Sequence, residues 1–201
     1  MKKMIVLLLS CAFLFGLDVK KIYYSSYNYE KMGDYKDAIK VLIPLYQKYP
    51  NGYTLNLRLG WLFYLNKNYS NAIKHYLKAS MVLPRAFEPR LGLMRVYLAL
   101  QNYNSVLKTG EIILKNDYYN YYANYYDVIA LVALKEYKTA LALCNKMLSI
   151  YPSDVLFLSK LGEVYYLKGN KDLAKKIFND VLILDPNNVT AKKYLDENSG
   201  F

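Results

Sequence analysis

A small residue returns at a fixed interval along this chain: Ala38, Ala72, Val106, Ala140 and Ala174 are each 34 positions apart. Three residues before them stand Tyr35, Tyr69, Tyr103, Tyr137 and Lys171, and twelve after them Pro50, Pro84, Tyr118, Pro152 and Pro186. A unit of this size is too small to enclose a core of its own. It must bury its apolar face against the next copy, which limits the chain to a solenoid, a stack of near-identical supersecondary units.

Each unit divides into two helical halves. In the second unit the first half carries Leu57, Leu59, Trp61, Leu62, Phe63 and Leu65, and the second half Tyr69, Ala72, Ile73, Tyr76, Leu77 and Ala79, both at helical spacing. The halves are separated by short polar breaks at Gly33-Asp34, Lys67-Asn68, Gln101-Asn102, Lys135-Glu136 and Gly169-Asn170. Four of these five place Asp or Asn where its side-chain oxygen accepts an orphan N–H at the start of the second helix. The prolines then end that helix, since proline lacks the N–H that continuation requires.

The pattern resembles the tetratricopeptide repeat: Leu-Gly and an aromatic residue in helix A, then Ala, an aromatic residue and Ala in helix B, then Pro. The second unit carries Leu59-Gly60, Phe63, Tyr69, Ala72, Tyr76, Ala79 and Pro84, and the fifth carries Leu161-Gly162, Tyr165, Ala174, Phe178 and Pro186. The first unit has Ser25-Ser26 in place of Leu-Gly. Gly110 stands in the third unit's helix-B aromatic slot and Cys144 in the fourth's. The resemblance runs without insertion over residues 19–188, as repeats 19–52, 53–86, 87–120, 121–154 and 155–188. It implies an all-α, right-handed superhelical solenoid of five helix-turn-helix repeats. A short capping helix with a loose tail, residues 189–201, is expected to close it: Asn188 caps, Ala191, Tyr194 and Leu195 face inward, and Lys192, Lys193 and Glu197 face outward. Pro44 falls inside helix B of the first unit and should bend or loosen it, whereas Pro89 lies harmlessly in the first turn of a helix A.

Residues 1–16 lie outside this register. Lys2 and Lys3 precede an apolar or small run from Met4 to Leu17, and Gly16 offers a cleavage site, which together read as a signal peptide. Lysine far exceeds arginine, and asparagine, isoleucine and tyrosine are abundant, as in a bacterium with an A/T-rich genome. The expected address is therefore periplasmic. The alternatives are an uncleaved membrane anchor and a lipoprotein: Leu8-Leu9-Ser10-Cys11 resembles a lipobox, which would lipidate Cys11. After cleavage Cys144 would be the only cysteine, expected as a buried thiol of helix B.

No catalytic constellation is present, and neither a cofactor nor a metal is expected. His75, the only histidine, is expected at the surface, because a metal site needs several converging ligands. The glycines are scattered and form no phosphate-cradling loop. The formal net charge is +11, yet the lysines are dispersed through all five units, which describes a solvated face. That dispersion and the export signal argue against nucleic acid.

The resemblance implies that helix A lines a concave groove. Carried over by register, the candidate groove holds Tyr23, Tyr27 and Glu30, then Leu57, Trp61 and Tyr64, then Leu91, Arg95 and Leu98. It continues with Tyr122, Tyr125, Ile129, Ser159, Glu163 and Tyr166. Tyr23 and Tyr27 occupy the first two slots of the carboxylate clamp found in some relatives, so that clamp is absent. From Asp117 to Asp127 the chain places six tyrosines in nine interior residues. Such a stretch reads either as a cradle for an extended or helical peptide or as packing between units. The expected function is a non-enzymatic scaffold of the bacterial envelope holding a protein or peptide partner in this groove. Two alternatives stay open: binding of an anionic envelope polymer through the lysine surface, and a membrane-anchored accessory subunit. Polymer binding would weaken steeply with salt, and an aromatic groove would not.

Overall fold

The 34-residue period becomes a recurring turn. At Gly33, Lys67, Gln101, Lys135 and Gly169 the backbone enters the left-handed region, with φ of 76°, 58°, 55°, 62° and 85°. The next residue's N–H reaches back five positions: Asp34 to the Tyr29 carbonyl, Asn68 to Phe63, Asn102 to Tyr97, Glu136 to Leu131 and Asn170 to Tyr165. This closure satisfies the carbonyls left over at the end of the first helix. The polar residue after it opens the second helix: side-chain oxygens of Asp34, Asn68, Asn102 and Asn170 accept from the N–H three residues on. Glu136 makes no such bond.

The computed structural model describes residues 18–197, and every regular element among them is α-helical. The proposed signal peptide with Cys11, and the tail at 198–201, lie outside the described residues. The helices are α1 (Val19–Lys31), α2 (Tyr35–Lys40), α3 (Ile43–Lys48), α4 (Tyr53–Leu65), α5 (Tyr69–Val82) and α6 (Glu88–Ala99). They continue as α7 (Tyr103–Leu114), α8 (Tyr121–Ala133), α9 (Tyr137–Leu148), α10 (Val155–Leu167), α11 (Lys171–Leu184) and α12 (Val189–Glu197). They fall into two compact bodies, a smaller one ending at Pro50 and a larger one beginning at Asn51.

In the smaller body, α2 and α3 are one helix B divided by Pro44. Proline offers no N–H to the Lys40 carbonyl, so the helix loosens at Val41-Leu42 and restarts with Pro44 in its first turn. Ser26, in the slot where Gly is usual, is fully buried.

In the larger body each helix A packs on its own helix B and on the next helix A, and each helix B packs on the following helix A. Small residues sit where backbones meet rings. A Cβ on Gly60 would lie 2.7 Å from the Tyr76 ring and one on Gly92 2.5 Å from it, so Tyr76 is gripped between α4 and α6. Gly162 meets Phe178 in the same way, at 2.8 Å. The core is a succession of clusters along the stack, such as Ala72, Tyr76, Leu93 and Val96, then Met94, Val106, Ile113 and Ala123. The last cluster closes on α12, where Tyr194 stacks on Phe178 at 5.0 Å and Ala191 is fully buried. Asn188 caps this helix by accepting from the Ala191 N–H. Pro89 is buried in the first turn of α6, and Cys144 is buried and unpaired, its thiol pushed up to about 12 by desolvation.

Candidate functional site

Within the larger body α4, α6, α8, α10 and α12 touch one another in sequence, whereas no pair of second helices makes a comparable contact among the described residues. The row of first helices is therefore the tighter, inner side of the stack. Its side chains form a continuous aromatic track. Trp61 on α4 stacks against Tyr64, with ring centroids 5.6 Å apart. The Arg95 guanidinium of α6 lies 5.3 Å over the Trp61 ring, and its Nε donates to the Tyr126 hydroxyl of α8 at 2.9 Å. Tyr126 in turn neighbours Tyr122 and Tyr125, each at 6.2 Å, and Tyr125 meets Phe157 of α10 edge-on at 5.7 Å.

The other residues expected in the groove are placed less evenly. Leu57 and Leu91 are half-buried, each against a core cluster; Leu98 and Ile129 are half-buried as well. Glu163 is held by Lys160 at 2.6 Å. Tyr166 packs on Tyr194 at 4.8 Å with Lys171 above it. Tyr23, Tyr27 and Glu30 stand on α1 of the smaller body, Tyr27 the most exposed of the three. Ser159 is a correction: it is 6% exposed, its side chain too short to reach out from the packed helix, so it does not line the groove.

The tyrosine-rich stretch divides by role. Tyr118 and Tyr119 precede α8 and are exposed; Lys146 covers the Tyr118 ring at 4.0 Å and donates to its carbonyl. Tyr121 turns into the junction, edge-on to Phe157 at 5.4 Å and donating to Asp154 at 2.8 Å. Its phenol is pushed up by burial and by that carboxylate. Tyr122, 54% exposed, presents the largest open ring of α8. Tyr126, which ties Arg95 to α8, is not among the residues that the register places in the groove. A signal for it is present: Arg95 and Tyr126 are 31 positions apart, one repeat less a helical turn.

His75 is a second correction. It is 6% exposed rather than at the surface. Its ring stacks on Phe63 at 5.3 Å and its Nδ1 lies 2.9 Å from Asn56 Oδ1, which makes Nδ1 the protonated nitrogen. Burial, aided by Lys74 and Lys78, lowers its pKa to about 4. It is a neutral core group. Among the described residues no three His, Cys, Asp or Glu converge as a metal site would require.

The junction beside the groove holds an exchange of residue types. Gly110 of α7 fills the aromatic slot, and the space it leaves is taken by the carboxylate of Asp127 of α8, which stands where the other well-matched repeats have Leu59 and Leu161. Asp127 is 6% exposed, and among the described residues its Oδ1 has no hydrogen-bond partner. Burial raises its pKa to about 7 against the opposing pull of Lys146.

The tetratricopeptide-repeat sequence pattern matches residues 26–80 and again 131–193, together more than half of the chain. No curated protein matches at the level of sequence. Among solved structures, the chain is similar to MamA from Desulfovibrio magneticus RS-1, with a TM-score of 0.74, 17% identity, and 85% of this chain and 96% of that chain covered. It is also similar to a tetratricopeptide repeat protein from Parabacteroides merdae ATCC 43184, with a TM-score of 0.77, 19% identity, and 87% and 70% covered. A thermophilic repeat protein of Thermus thermophilus matches at a TM-score of 0.68 and 15% identity over 88% and 97% of the two chains. At these identities the likeness is one of fold, and with the two sequence matches it leads to one conclusion: the chain belongs to the tetratricopeptide-repeat family.

Proposed function

We propose that this protein is a non-enzymatic scaffold of the bacterial envelope that seats one partner protein or peptide on the aromatic track of its first helices. Tetratricopeptide repeats are in general protein–protein interaction scaffolds, and that much follows from family and fold. The observation that supports the finer reading is the unbroken run Tyr64, Trp61, Arg95, Tyr126 and Tyr122 across α4, α6 and α8. Large rings with polar edges offer contact area at low entropic cost, the property that enriches them in binding surfaces. The envelope address rests on the export-like sequence at residues 1–16.

Photo-crosslinking in the native bacterium tests the assignment. A benzophenone side chain at position 122 or 64 should give one discrete adduct, and the same group at Lys138 or Lys175, exposed on second helices, should not. Equal adducts from both faces would contradict it. Tyr122→Ala with Trp61→Ala is the suitable groove-deleting variant. Tyr125→Ala is less suitable, because Tyr125 also packs edge-on against the buried Phe157. Edman sequencing of the mature protein tests the address: a chain starting near Leu17 supports export, and an intact Met1 opposes cleavage.

A further inference from the structure

We propose that Arg95 is an anion-anchoring residue of this groove, pinning the side-chain carboxylate of an Asp or Glu within an extended, otherwise apolar partner segment; the proposal rests on the groove being the partner-binding face. Arg95 is half-buried among rings. Its Nε is committed to the Tyr126 hydroxyl and its Cζ lies 5.3 Å over the Trp61 ring, which holds the guanidinium while leaving its terminal N–H groups for a ligand. Among the described residues no carboxylate lies within ion-pair distance of it. The acidic groups nearby in the register are engaged elsewhere: Glu163 with Lys160 at 2.6 Å, and Glu88 as acceptor from the Tyr53 hydroxyl at 2.7 Å.

The donor set is one-sided. Tyr126 accepts from Arg95 through its oxygen, so its own O–H proton remains to be given to the same ligand. The spot therefore presents N–H and O–H donors beside the Trp61 ring and offers a ligand no strong acceptor. A carboxylate satisfies such a set by accepting from the guanidinium fork and the phenol together. A lysine or an amide would leave donors facing donors. Partial burial keeps the pairing stronger than at an open surface, and the fixed fork lowers the ordering cost. Apolar residues on either side of the acid would rest on Trp61, Tyr64 and the exposed ring of Tyr122.

A peptide library displayed at the N-terminus of a phage coat protein tests this, because displayed peptides have no free C-terminal carboxylate. The wild-type protein should enrich sequences with one Asp or Glu between apolar or aromatic residues. An enriched peptide, made with both ends capped, should bind Arg95→Gln roughly tenfold or more weakly, as expected for loss of a charge-assisted pair. Tyr126→Phe, which keeps the ring, should weaken it by a smaller factor. Replacing the peptide's Glu by Gln should cost wild type the same factor and cost Arg95→Gln little further. Enriched peptides that lack an acidic residue, or an equal Glu-to-Gln cost on both proteins, would overturn the assignment of Arg95 and leave the groove reading intact. No enrichment at all, or enrichment undiminished by Trp61→Ala with Tyr122→Ala, would overturn the groove reading and this proposal with it. Circular dichroism of each variant separates lost binding from lost fold.

Discussion

At the scale of single residues, two buried titratable groups pull the stability of the stack in opposite directions. Asp127 has a folded pKa near 7, above the ordinary aspartate range. Its contribution is fully present at pH below about 4, where the carboxyl is protonated in both states, and is lost as pH climbs through 7. His75, held near 4, behaves conversely: its contribution is present above about 6.5 and is lost as pH falls towards 4. Urea unfolding at pH 5 and pH 8 should therefore show Asp127→Asn gaining on wild type by on the order of 2–3 kcal/mol more at pH 8 than at pH 5. An identical gain at both pH values would mean that Asp127 does not titrate in this range. Neither group is legible in the sequence. His75 sits between Lys74 and Tyr76 in a stretch that reads as surface, and its burial follows from Asn56, 19 positions away, reaching it across the helix pair. Asp127 is legible only as a missing Leu, and its accommodation depends on Gly110 of the preceding helix.

At the scale of elements, the turn between the two helices of each repeat is the most legible part of the chain. A capping side chain needs no tertiary information, and Asp34, Asn68, Asn102 and Asn170 cap as their spacing requires. The same logic identifies the weak member. Glu136 stands at the start of α9 without a capping bond, its longer side chain ill suited to bend back onto the helix N-terminus. Glu136→Asn should restore the bond, stabilise the protein by about 1 kcal/mol and raise the thermal midpoint by a few degrees. An unchanged or lower midpoint in a circular-dichroism melt would show that α9 does not use its N-cap. The division of helix B at Pro44 is equally legible, since the absence of an N–H acts within a single turn.

At the scale of the whole molecule, the repeat period carries the architecture, because a solenoid is specified by contacts between neighbours one repeat apart. The site is legible in part. The register names Trp61, Arg95 and Tyr122, but it misses Tyr126 and wrongly includes Ser159. Register gives the direction of a Cα–Cβ bond, whereas exposure depends on side-chain length and on what the adjoining helix supplies. Trp61 is the only tryptophan of the chain, so its fluorescence reports on the inner face alone. The most direct measurement is acrylamide quenching of Trp61 in the purified protein, alone and with the partner captured from position 122 added in tryptophan-free form. The partner is expected to shield Trp61, lowering the quenching constant severalfold, and Arg95→Gln is expected to weaken the shielding. A complex that forms with undiminished quenching of Trp61 would place the partner elsewhere and contradict binding on the inner face.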